Sequence, residues 1–97
     1  MEKSVHTTEH RLLITLLREF RERAGVSQIE LGERLQETQS VVSKYERGER
    51  RLDFVQLRLF CTALGVPVRD FVAEFESRLA QDKPPNDLRG RRRAKRS

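Results

Sequence analysis

Cysteine occurs once in these 97 residues, at Cys61, so the chain can close no disulfide within itself. No run approaches the roughly 18 consecutive apolar residues that a membrane span requires. The opening MEKSVHTTEH lacks the apolar region of a signal peptide. These absences make the cytoplasm the expected compartment and leave no membrane partner to expect. Period-two alternation is missing, so no strand is expected, and no internal repeat is visible. There is no glycine-rich phosphate loop, no nucleophile elbow and no paired His–carboxylate constellation. Neither catalysis nor a cofactor is therefore expected. His6 and His10 stand four apart, but no third ligand accompanies them, so no metal site is expected. Cys61 lies in an apolar stripe beside Phe60 and Leu64, which marks it as a core thiol rather than a nucleophile.

What is present is helix and charge. Hydrophobic and charged residues each make up 36% of the chain, which suits one small domain with a modest core. The net charge of +5 is unevenly placed. Residues 84–97 hold six cations and one acid, whereas residues 1–83 hold fourteen of each sign. The basic character thus belongs to the tail, and the overall charge alone says nothing about what the folded part binds. The tail, KPPNDLRGRRRAKRS, has one leucine among Pro, Gly and charge. It cannot bury enough apolar surface to offset its ordering entropy and reads as disordered.

Five helices can be read. In the first, from about Glu9 to Ala24, Leu13, Leu16, Leu17, Phe20 and Ala24 recur at three- and four-residue steps, and Gly25 offers a left-handed stop. The second opens with the capping box Ser27-Gln28-Ile29-Glu30 and runs to about Leu35, with Ile29, Leu31 and Leu35 expected inside. The third starts after the cap Thr38 and ends at Gly48. The fourth begins at Asp53 and turns Leu57, Phe60, Cys61 and Leu64 inward, and Gly65 closes it. Pro67 suits the first turn of the fifth, whose stripe is Val68, Phe71, Val72, Phe75 and Leu79. Residues 1–8 are expected to form a flexible N-terminus, 9–82 the folded domain and 83–97 the tail.

Only Gln36, Glu37 and Thr38 separate the second and third helices, so these two pack at a steep angle. On the third, Val42 and Tyr45 face inward with Val41 beside them. Gln39, Ser40, Ser43 and Lys44 form a contiguous outward face near the N-terminus, where the helix carries partial positive charge. Amide, hydroxyl and ammonium groups are what base edges in a major groove engage. Arg47, Arg50 and Arg51 follow, placed as cations would be if phosphates lay on that side. On wheel and composition alone, a DNA-reading face and an ordinary solvated face remain alternatives.

The run SQIELGERLQETQSVVSKYERGERRLD resembles the helix-turn-helix of phage repressor and Cro proteins, the XRE family. The resemblance rests on Ser27-Gln28, Glu30-Leu31, Leu35, Thr38, Val42 to Glu46, Gly48 and the later Ala63 to Val66. It implies an all-α, five-helix, lambda-repressor-like domain whose third helix enters the major groove of double-stranded DNA. By position it implies base reading by Gln39, Ser40 and Lys44, with backbone contacts from Gln28, Val41, Ser43, Arg47 and Arg50; Arg51 joins the expected backbone contacts by its place beside Arg50. It also implies a structural ion pair between Arg21 and Glu46. Two departures are visible. Gly32 stands where the family usually has Ala, and Gln36 stands at a turn position usually held by Gly.

The expected function is sequence-specific regulation of transcription, as a repressor. A toxin-neutralising antitoxin and a protein-interaction adaptor of the same fold are the alternatives, so a protein partner also stays open. A homodimer is expected, through Val72, Phe75 and Leu79 on the fifth helix. The basic tail is expected to add salt-dependent DNA affinity without choosing sequence.

Overall fold

A computed structural model describes residues 8–82 of the chain; the flexible N-terminal segment and the basic tail expected above lie outside them, apart from Thr8. Among the described residues the fold is five helices and no strand: α1 (Thr8–Arg23), α2 (Gln28–Leu35), α3 (Gln39–Glu46), α4 (Phe54–Leu64) and α5 (Val68–Asp82). Thr8, expected in the N-terminal segment, already belongs to α1, and Ala24, expected on its apolar face, lies past its end and is exposed.

Local chemistry sets most of these boundaries. Ser27 Oγ accepts from the Glu30 amide while Glu30 Oε1 accepts from the Ser27 amide, completing the capping box of α2. Asp53 and Gln56 repeat that exchange at α4. Thr38 caps α3 with a single bond from the Val41 amide. The helix exits share one closure, in which a left-handed residue bends the chain back onto the last turn. That residue is Gly25, Gly48 or Gly65 after α1, α3 and α4, but after α2 it is Gln36, at φ 61° and ψ 40°. At the position of the sequence departure, Gln36 itself takes the left-handed conformation that favours glycine, at an energetic cost. The amides of Gln36 and Glu37 still close onto Glu33 and Gly32, at 3.1 and 2.8 Å.

Gly32 explains itself in the same turn. A Cβ there would stand 2.9 Å from the carbonyl oxygen of Glu37 and 3.1 Å from the carbonyl carbon of Thr38. Both are backbone atoms, so the turn crosses α2 too closely for any side chain. The close approach lets α3 seat Val42 and Tyr45 in the core.

The core joins all five helices. Leu16, Leu17 and Phe20 of α1 meet Leu31, Val42, Tyr45, Leu57, Phe60, Cys61, Leu64 and Phe71, with Val26 from the α1–α2 link. Phe20 tilts against Phe71 at 4.9 Å between ring centres, and Tyr45 meets Phe60 edge to face at 5.4 Å. Cys61 is among these buried residues, and burial pushes its thiol pKa up, so it behaves as a small apolar side chain. Leu35 is only partly buried, at the edge of the core. Ile29 differs from expectation: it is exposed. The eight residues of α2 present a narrow inner face centred on Leu31 and Gly32, and Ile29 lies well round the helix from it.

Candidate functional site

The outer side of α3 gathers the residues that the sequence singles out. Gln39, Ser40 and Lys44 are exposed, whereas Val42 and Tyr45 are buried beneath them. Ser43 is half-buried because the Arg47 guanidinium folds back to donate to its hydroxyl. Val41 is also half-buried, and its amide is engaged by the Thr38 cap.

Behind this face runs a chain of hydrogen bonds. Arg21, on α1, donates from Nε and Nη2 to the two carboxylate oxygens of Glu46 at 2.7 and 3.1 Å, and from Nη1 to the Val26 carbonyl at 2.9 Å. The side chains of this pair are only 10% and 4% exposed. The hydrogen bond that Arg21 donates to Glu46 holds the Arg21 pKa above its ordinary value despite the opposing effect of desolvation. Glu46 Oε1 also accepts from Gln28 Nε2 at 3.0 Å, and Gln28 Oε1 accepts from Gln39 Nε2 at 2.6 Å.

The order of donors in this relay is forced. A carboxylate can only accept, so Gln28 must turn its amide nitrogen to Glu46. Its oxygen then faces Gln39, which must answer with its own nitrogen. Gln39 is left with a carbonyl oxygen and a second N–H. That acceptor–donor pair is the one with which glutamine engages adenine. The structure thus places the Arg21–Glu46 pair as expected and adds a link, Gln28, between the pair and the exposed face. Glu46, an acid on a helix otherwise suited to DNA, is neutralised from behind by Arg21.

The cations are arranged less simply. Arg47 makes a two-pronged pair with Glu49, at 2.9 and 3.0 Å, which raises the Arg47 pKa and lowers that of Glu49. Arg50 lies over the Tyr45 ring, 5.4 Å from its centre. Arg51 is exposed beside them. Lys44, Arg47, Arg50 and Arg51 therefore fringe α3, with Arg47 held by the solvent-exposed acid Glu49. Residue type and spacing reveal the cluster, but not the Glu49 contact, because a neighbour two residues away lies off any helical period.

Phe75 and Leu79 of α5 are half-buried, Phe75 against the core, while Val72 is 39% exposed. Arg78 ties this part of α5 to α1 through Glu19 at 2.8 Å. Among the described residues no group of three or more His, Cys, Asp or Glu side chains could hold a metal ion, and His6 lies outside them. No helix among them is long and apolar enough to cross a membrane.

A family model described as helix-turn-helix matches residues 17–71. The fold is similar to that of an XRE-family like protein from Pseudomonas syringae pv. tomato, at 39% sequence identity and a TM-score of 0.70, covering 77% of this chain and 92% of that one. It is also similar to the clp gene regulator ClgR from Corynebacterium glutamicum, at 30% identity and a TM-score of 0.69, covering 84% and 87%. A further structure of ClgR matches at 31% identity and a TM-score of 0.65, over 73% and 91%. No curated protein matches.

Proposed function

This chain belongs to the XRE-type helix-turn-helix family, and from that premise we propose that it is a sequence-specific regulator of transcription that reads double-stranded DNA with α3. Gln39, Ser40 and Lys44 meet base edges in the major groove. Gln28, Val41, Ser43, Arg47, Arg50 and Arg51 contact the sugar-phosphate backbone and set the register. The chain acts as a repressor by occupancy, as a homodimer on two half-sites about 34 Å apart. The name of ClgR, a gene regulator, supports the same class of activity.

The observation that carries this reading is the relay from Arg21 through Glu46 and Gln28 to Gln39. A solvated surface glutamine has no need of a buried ion pair to hold its amide. Here the fold commits a buried charge pair and a second glutamine to fixing one exposed side chain. Pre-organisation of that kind lowers the ordering cost of a polar contact.

Selection of bound fragments from a random duplex pool tests the proposal. The wild-type chain is expected to enrich a defined motif. The Gln39→Ala/Lys44→Ala variant is expected to lose that enrichment while its helical circular dichroism stays unchanged, since both side chains are exposed. Equal enrichment by the variant would remove the base-reading role from α3.

A further inference from the structure

Residues 8–82 hold eleven arginines but a single lysine, Lys44. The two cations differ in chemistry. A guanidinium stays protonated at any ordinary pH, whereas an ammonium that gives up its proton becomes a nucleophile. Acylation of that amine leaves a neutral amide. Lys44 is therefore the one Lys or Arg charge in residues 8–82 that acyl transfer can remove, and it stands on the outward face of α3. The side chain is exposed, and its ammonium makes no hydrogen bond or ion pair with another described residue.

The surroundings favour one class of acyl donor. Arg47 follows at the C-terminal cap of α3, and Arg50 and Arg51 are exposed just beyond it. Guanidinium groups hold phosphate oxygens through charge-assisted bonds. A donor whose leaving group is phosphate thus collects here in preference to an uncharged one. Glu49 opposes this. Its amide donates to the Lys44 carbonyl at 2.9 Å, and its carboxylate holds Arg47 at 2.9 and 3.0 Å. The bond from Arg47 lowers the Glu49 pKa most, and the charge of Lys44 adds to the effect. The Arg47–Glu49 pair is half in solvent, so a phosphate displaces the acid at little cost.

We propose that Lys44 is an acyl-acceptor site, modified directly by a small acyl phosphate, and that the loss of its charge takes the chain off DNA. The ammonium first gives one proton to water. Its nitrogen then attacks the acyl carbon, the bond from that carbon to the phosphate oxygen breaks, and phosphate leaves with the electron pair. A second proton passes from nitrogen to solvent, which leaves the neutral amide. Nothing is oxidised or reduced. The effect on DNA rests on the function proposed above, whereas the site of acylation does not.

The test incubates the full chain with acetyl phosphate at low salt and follows each lysine by peptide mass spectrometry. Lys3 and Lys83, each beside an acid in the sequence, serve as internal standards. Lys44 is expected to react about tenfold faster than either, the low end of electrostatic focusing. With phenyl acetate, an uncharged donor, that lead is expected to vanish. Arg47→Gln is expected to shrink the lead with acetyl phosphate. Equal rates at Lys44, Lys3 and Lys83 overturn the proposal, and so does a lead that phenyl acetate preserves. The effect on DNA is read in the Lys3→Arg/Lys83→Arg/Lys95→Arg chain, whose only lysine is Lys44. On the duplex that the wild type recovers from a random pool, acetylation of this chain is expected to weaken binding about tenfold or more, the value of one base contact. Unchanged affinity with Lys44 fully acetylated overturns the proposal while leaving the reading by Gln39 and Ser40 in place. If no duplex is recovered, the DNA reading fails, and the relative rates at the lysines alone decide the acyl-acceptor site.

Discussion

Replacing Glu46 by Ala is expected to cost the fold heavily even though Glu46 sits on the helix proposed to face DNA. The carboxylate accepts two charge-assisted bonds from Arg21 and one from Gln28, at 2.7, 3.1 and 3.0 Å. Breaking a buried pair by removing one partner costs about 3–5 kcal/mol, mostly because the other charge is stranded. Arg21 keeps the Val26 carbonyl, and the freed Gln28 amide can turn to water, so the low end applies, about 3 kcal/mol. For a domain of this size each kcal/mol moves Tm by about 4–8 °C, which puts the loss at about 12–24 °C. Thermal and urea unfolding followed by circular dichroism measure it. The double variant Arg21→Met/Glu46→Leu sharpens the argument. It leaves no charge behind and is expected to recover most of the stability, with a coupling of at least about 1.5 kcal/mol between the two sites. It also deprives Gln28 of its acceptor, so Gln39 loses its fixed orientation and motif selectivity stays impaired. If E46A costs under about 1 kcal/mol, or the two single effects simply add, the buried-pair account is wrong.

Three further outcomes follow from particular contacts. Glu49→Gln removes the acid that holds Arg47, so binding to any duplex should tighten a few-fold at low salt, with the gain shrinking as salt rises; equal affinity at low salt would show that Glu49 does not compete with phosphate. Gln36→Gly relieves a left-handed side chain and should raise stability by about 1 kcal/mol after the entropy of the added glycine is counted, and a lower Tm would contradict the strain reading. Gly32→Ala improves helix propensity by about 0.5–1 kcal/mol. Its Cβ nevertheless meets the Glu37 carbonyl at 2.9 Å, so unfolding experiments should show net destabilisation of about 1–3 kcal/mol. Net stabilisation would mean that the turn can yield.

Much of the architecture is legible from residue order because local signals and packing agree. Ser27 with Glu30 and Asp53 with Gln56 mark helix starts through side-chain bonds that span only three residues. Gly25, Gly48 and Gly65 mark stops through backbone conformation. The inward stripes of α1 and α4 follow a single period. Legibility ends where a side chain's fate depends on a neighbour distant in sequence. Ile29 looks like a core residue in the run QIELGERL, yet at 100° per residue it lies on nearly the opposite side of α2 from the buried Leu31 and stays exposed. Phe54, Val55 and Leu59 of α4 are exposed as well, but their apolar letters merge with those of the true core into one hydrophobic run, FVQLRLFCTAL. The Arg21–Glu46 pair spans 25 residues and follows from family resemblance, not from local pattern. Gln28 sits in the sequence as the first residue of a helix, and only the folded chain shows it linking Glu46 to Gln39.

These links explain why the sequence tolerates two apparent defects beside its most exposed face. Gly32 lowers the intrinsic stability of α2 and Gln36 carries a backbone strain, yet both sit in the turn that sets how closely α3 crosses α2. A bulkier residue at 32 would push that turn outward. The relay allows little such movement, because its last bond, from Gln39 to Gln28, is already at 2.6 Å and hydrogen bonds weaken steeply with misalignment. The turn and the relay therefore constrain one quantity, the separation of Gln28 from Gln39. On this argument a variant at Gly32 that still folds should lose motif selectivity before it loses affinity for DNA in general. The cations around α3 that are proposed to meet phosphates do not depend on that separation, whereas the orientation of the Gln39 amide does.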